Sequence, residues 1–69
     1  MLPDDVLVER LCTDYATPAD IASARKEDQR EAARRMTVAG EPPGVIARRL
    51  HINHDTASLW VNEDRQAAA

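Results

Sequence analysis

Near the C-terminus, Asn53, His54, Asp55, Ser58, Leu59 and Asn62 fall on one side of a helical pattern whose other side carries Ala57, Trp60 and Val61. Side chains of these types bond directionally to the edges of nucleic-acid bases. Asparagine matches the donor and acceptor of adenine, aspartate accepts from the cytosine amine, and an outward leucine meets a thymine methyl. The set lacks arginine, so guanine readout from this face would be poor and the affinity of one copy low. Asp55 also suits a capping role in the first turn of such a helix. Two arginine pairs precede the face, Arg48/Arg49 and Arg34/Arg35. Guanidinium groups bond phosphate oxygens, which makes these four the candidate phosphate contacts, against the plainer reading of a solvated helix face.

Other chemistries find no matching set of residues. His51 and His54 are three apart and Cys12 is distant in sequence, whereas a zinc site needs about four ligands in a tetrahedron. They read as one turn histidine and one outward histidine, and no metal is expected. A nucleophile, base and orienting group cannot be assembled, a glycine-rich phosphate loop is missing, and the adjacent acids Asp4-Asp5 and Glu63-Asp64 fall at helix ends. No enzyme activity, catalytic residue or cofactor is expected.

Presenting the outward face requires a helix that starts after Asn53, with Asn53 as its cap, Asp55 in the first turn and fraying from Gln66 to Ala69. Before it, Pro42-Pro43 opens a helix that turns Ile46, Ala47 and Leu50 inward and ends near His51, leaving Ile52 in a short connection. Upstream, Thr17-Pro18 marks a helix start and Gly40 a stop. Between them apolar residues cluster twice, as Ile21, Ala22 and Ala24 and then as Ala32, Ala33, Met36 and Val38. The intervening run from Arg25 to Glu31 is entirely polar. Either one helix crosses solvent there, aided by pairs such as Glu31 with Arg35, or the chain bends between Arg25 and Asp28; a helix from about Asp28 to Ala39 is expected in both cases. The segment from Pro3 to about Tyr15 reads as an amphipathic helix with a stripe of Leu7, Leu11 and Tyr15 flanked by Val8 and Cys12, covering the core or forming a dimer contact. TPADIA at 17–22 and PPGVIA at 42–47 use the same helix-start chemistry twice.

The stretch GEPPGVIARRLHINHDTASLWV, Gly40 to Val61, joins two inward faces through a turn of three or four residues. Its Ile46-Ala47, Leu50, Ile52, Thr56-Ala57 and Trp60-Val61 resemble the pattern of the helix-turn-helix DNA-binding superfamily, shared by small phage and mobile-element regulators, excisionases, transposase heads and sigma-like domains. The resemblance covers about a third of the chain. It implies that Ala47 lets two helices approach closely, that Leu50, Ile52 and Ala57 close a small core, and that the helix after Asn53 lies in the major groove. His51 stands where the family has glycine, which implies a left-handed backbone at a non-glycine residue or a different turn. Ala57 replaces a larger Val or Ile, so Trp60 must fill the space. The expected fold class is all-α, a small domain of four to five helices. Residues 1–16 form the N-terminal amphipathic helix, and residues 17–69 form a helical domain with the helix-turn-helix at about 42–66 and no wing, because no alternating strand pattern follows.

Sixty-nine residues without Phe and with one Trp and one Tyr make a small, alanine-rich core. Pairing of two copies would stabilise it, so a homodimer or binding at adjacent sites is expected. Cys12 is the sole cysteine, and no apolar run approaches the roughly 20 residues that span a bilayer. The opening MLPDD lacks the order of a signal peptide, so a cytoplasmic protein with no membrane association is expected. The formal net charge is −3, but residues 1–31 carry −4 and residues 32–69 carry +1. That split would turn one face toward DNA and the other away. The leading expectation is a sequence-specific protein binding double-stranded DNA, a small transcriptional regulator or excisionase-like factor of phage or mobile-element type. The alternative is the same scaffold as a protein-binding adapter or inhibitor acting through its acidic N-terminal half, and a third is the head of a larger transposase or terminase.

Overall fold

Helices begin in this chain where a side chain or a proline deals with the first free backbone N–H groups. The computed structural model describes residues 4–68, and these form five α-helices with no strand: α1 (Asp5–Leu11), α2 (Pro18–Ser23), α3 (Lys26–Val38), α4 (Pro43–Leu50) and α5 (His54–Ala68). Pro3 and Ala69, to which the sequence reading extended, lie outside the described residues. Asp4 caps α1 by accepting from the Val6 and Leu7 N–H groups at 3.1 and 3.3 Å. A capping box opens α2: Thr17 Oγ1 accepts the Asp20 N–H at 3.1 Å, Asp20 Oδ2 accepts the Thr17 N–H at 3.0 Å, and Pro18 takes the first helical position.

One expectation for the N-terminal half needs correction, and one choice left open there is decided. Helix α1 stops at Leu11 and does not reach Tyr15. Thr13 ends it, because its hydroxyl donates to the Arg10 carbonyl at 2.7 Å and accepts the Tyr15 N–H at 3.2 Å, offering the backbone a turn in place of another helical step. Tyr15 is 90% exposed, so the apolar stripe consists of Val8 and Leu11, with Leu7 and Cys12 at its edge. The choice left open at Arg25–Asp28 resolves as a break: Ala24 and Arg25 are extended and α3 starts at Lys26. Asp28 is the cause. Its Oδ2 accepts the Arg25 N–H and its Oδ1 the Asp4 N–H, both at 3.0 Å, so one carboxylate starts α3 and seats the start of α1. Asp28 is 5% exposed.

Helices α3, α4 and α5 enclose the core with α1 laid across it. Its members are Val8 and Leu11, then Ala32, Ala33 and Met36, then Ile46, Ala47 and Leu50, and finally Ala57, Trp60 and Val61. Every position expected to face inward from α4 and α5 does so, and Ile52 packs against the cluster from the connection. The alanines of α3 and α5 allow close helix approach, and Trp60 supplies the bulk that Ala57 lacks. Over Trp60 lies Arg30, 5.4 Å from the ring centroid, while both terminal nitrogens of Arg30 bond Asp64 at 2.9 Å. This clamp fastens α3 to α5 through a cation–π contact and a two-point ion pair. Helix α2 buries no residue; Ile21 and Ala24 only fringe the core. The last helix remains regular through Ala68, beyond the Gln66 at which fraying was expected. No helix among the described residues is long and apolar enough to cross a membrane.

Candidate nucleic-acid interface

The outward residues of α4 and α5 are aimed by the two turns that end α3 and α4. Both turns close alike. After α3, the Glu41 N–H bonds the Met36 carbonyl at 2.9 Å and the Gly40 N–H bonds Thr37 at 3.0 Å, with Gly40 left-handed at φ 88°. After α4, the Ile52 N–H bonds the Ala47 carbonyl at 3.1 Å, and the left-handed position is filled by His51 at φ 55°, ψ 43°. Of the two geometries that a non-glycine residue allowed there, the chain adopts the left-handed one. Asn53 Oδ1 then accepts the Asp55 N–H at 2.7 Å and starts α5. The first turns of α4 and α5 end up side by side, since a Cβ placed on Gly44 would lie 4.0 Å from His54 Cδ2.

On α5, His54, Asp55, Leu59 and Asn62 are exposed, Leu59 to 58%. Ser58 is half-buried, with Oγ 3.4 Å from His54 Nδ1 one turn earlier. Asn53 is exposed as well, but its side-chain oxygen is committed to the cap, leaving its amide NH2 as the outward group. These six residues therefore share one end and one side of α5, and Gly44 and Arg48 continue that surface along α4.

The four arginines do not form one patch. Arg48, with 68% of its side chain exposed, reaches Asp14 at 3.4 Å. Arg49 has only 17% exposed: its Nη1 donates to Glu41 at 2.9 Å and to the Cys12 carbonyl at 3.1 Å, and its Nε to Asp14 at 3.1 Å. It ties α4 to the end of α1 and to the turn after α3. Arg35 points toward α1, bonding Asp5 at 2.8 Å and Glu31 at 2.9 Å. Arg34 bonds Glu31 at 2.6 Å and lines a groove with Asp64 and Arg65, ten residues and so roughly 15 Å along the axis from His54. Hydrogen bonding from Arg34, joined by Arg35, holds the Glu31 carboxyl down at about 2. Arg49 likewise holds Asp14 below the usual carboxylate range. The Cys12 thiol is pushed up by burial, against the lowering effect of Arg35 and Arg49, which keeps it in the unreactive protonated form.

Sequence reasoning missed Asp14, Asp28, Arg30 and Glu41. The signal for Asp28 was present, an acid three positions after a residue that starts a helix. Pairs such as Arg30–Asp64 and Arg48–Asp14 span 34 residues and carry no local signature. In comparisons with protein-family models, curated proteins and solved structures, this chain matches none.

Proposed function

We propose that this protein binds double-stranded DNA through a helix-turn-helix made of α4 and α5, with α5 entering the major groove. The observation that carries the reading is the rigid presentation of a polar face: a left-handed turn at His51, the Asn53 cap and the buried Ala57, Trp60 and Val61 fix how His54, Asp55, Ser58, Leu59 and Asn62 project. His54, Ser58 and Asn62 supply hydrogen bonds to base edges, Leu59 an apolar contact, and Asp55 an acceptor for cytosine. Asn53 contributes its amide NH2 only. Arg48 is the phosphate contact; Arg49 supports it from behind, while Arg34 and Arg35 lie apart from this face. The resemblance adds the class, a small transcriptional regulator or excisionase-like factor of phage or mobile-element type; the small alanine-rich core adds pairing as a homodimer or binding at adjacent sites, and the opening residues add a cytoplasmic location.

The test is duplex binding at low salt, followed by anisotropy on labelled random and selected sequences. Ser58→Ala with Asn62→Ala is expected to reduce discrimination by about 1–3 kcal/mol for each well-formed bond to a base edge that the change removes. Arg48→Ala is expected to weaken all sequences alike and to lower the slope of log K against log salt by about 1. Full discrimination in the double variant would remove α5 as the reader. A second reading, a protein-binding adapter or inhibitor acting through the acidic N-terminal half, is favoured by one observation. Arg10, Arg30, Arg34, Arg35, Arg48 and Arg49 each already bond a carboxylate, which leaves little free positive charge for phosphates. Absence of any duplex binding at low salt would make this second reading the better one.

A further inference from the structure

Between the loop after α1 and the end of α4 lies a notch of about 220 Å³ lined by Thr13, Asp14, Ala16, Arg48, Arg49 and His51. Two guanidinium groups and an imidazole border it, donors of the kind that bind phosphate, while the Thr13 hydroxyl beside them already donates to the Arg10 carbonyl. The one carboxylate among them is Asp14, which bonds Arg48 Nη2 at 3.4 Å and Arg49 Nε at 3.1 Å. It comes from a different part of the chain, 34 and 35 residues away, and is 59% exposed. We propose that this notch is a phosphate-binding site and that Asp14 is its internal occupant, an anion carried by the protein that an external phosphate must displace. The proposal rests on the reading that this face of α4 meets phosphates.

Three features make the exchange feasible. The bond to Asp14 is exposed, and exposed pairs of this kind contribute little, so an incoming anion has little to overcome. Arg49 stays in place when Asp14 leaves, because Glu41 and the Cys12 carbonyl hold its Nη1. His51 keeps a left-handed backbone, a conformation that costs a non-glycine residue free energy, and borders the notch from that position.

Inorganic phosphate is the probe, read by the side-chain Nε–H resonances of Arg48 and Arg49 and the amides of Thr13 and His51. Asp14→Asn removes the competing charge while keeping an acceptor for Arg49. Phosphate is expected to bind it about three- to fivefold more tightly than wild type, the scale of one exposed ion pair. Glu27→Gln makes the same charge change on α3 and is expected to leave the titration as in wild type. Arg48→Ala added to Asp14→Asn should abolish the gain. Equal affinities for wild type and Asp14→Asn, an equal gain in Glu27→Gln, or no shift at Arg48 and Arg49 in any variant would each overturn the proposal. Duplex DNA forms the second arm. Tighter duplex binding by Asp14→Asn would show that the site takes backbone phosphates. If phosphate binds the notch more tightly and the duplex binds neither protein, the notch serves a free phosphate group and the DNA reading alone fails. If the duplex binds both proteins equally and phosphate does too, the notch fails and the DNA reading stands.

Discussion

Removing the Asp28 carboxylate should unseat two helices at once. Its two oxygens accept backbone N–H groups from Arg25 and Asp4, each at 3.0 Å, in a site where the residue is 5% exposed. In Asp28→Ala both donors lose a charged acceptor; hydrogen bonds of this kind contribute about 1.5–3 kcal/mol each, and water entering at the partly buried N–H groups recovers some of it. A net loss of about 2–4 kcal/mol follows, against a total stability of about 3–10 kcal/mol for a chain of this length. At about 4–8 °C per kcal/mol, the melting temperature should fall by roughly 10–30 °C. Circular dichroism at 222 nm reads this directly. Asp28→Asn keeps one acceptor and opposes the other N–H with a donor, so it should melt between wild type and Asp28→Ala. The two N–H groups hold the Asp28 carboxyl below its usual range. Its contribution is therefore present at neutral pH and fades as acid titrates the folded protein, so the gap between wild type and Asp28→Ala should narrow on acidification. A melting temperature for Asp28→Ala within about 3 °C of wild type would refute the reasoning.

Leu50→Ala should cost about 2–4 kcal/mol by opening a cavity beneath the turn, seen as a lower urea midpoint at unchanged slope. His51→Gly relieves a left-handed strain of about 1–2 kcal/mol and adds about 0.5–1 kcal/mol of unfolded-chain entropy, so a net gain near 0.5–1 kcal/mol should appear as a higher melting temperature. A loss of stability there would mean that the imidazole makes a contact worth more than the strain. Glu31, held at about 2 when folded against an ordinary 4.5, contributes stability that is whole above pH 4.5 and lost as pH falls toward 2. Glu31→Gln should accordingly be less stable than wild type at pH 7 and approach it near pH 2, and a gap that widened in acid would contradict the sign.

The helices were legible in the sequence where local rules govern. Pro43, Asn53, Gly40 and Thr17 each mark a helix end within a residue or two, and the inward set of Ile46, Ala47, Leu50, Ala57, Trp60 and Val61 follows from spacing alone. The candidate face on α5 follows from the same periodicity. Tyr15 misled because its step of four continued a pattern that a hydroxyl turn at Thr13 had already ended. The arginines misled for a different reason. Whether a guanidinium is free or bound depends on carboxylates brought near by the fold, and Asp14 meets Arg49 across 35 residues without any trace in the local pattern.

Helix α2 gives the molecule an uneven resistance to opening. Six residues long, without a buried side chain and resting chiefly on α1, it has little to hold it beyond its capping box and the Arg10–Asp20 pair at 3.4 Å. Its amide hydrogens should exchange with solvent through local openings far less costly than global unfolding, while those of α3 and α5 follow the whole domain. Emission from Trp60, the only tryptophan, reports on the slow-exchanging unit and is blind to the fast one. The loop that carries Asp14 leads directly into that fast unit, so the carboxylate facing Arg48 and Arg49 should come and go on the timescale of α2 without the outward face of α5 loosening at all.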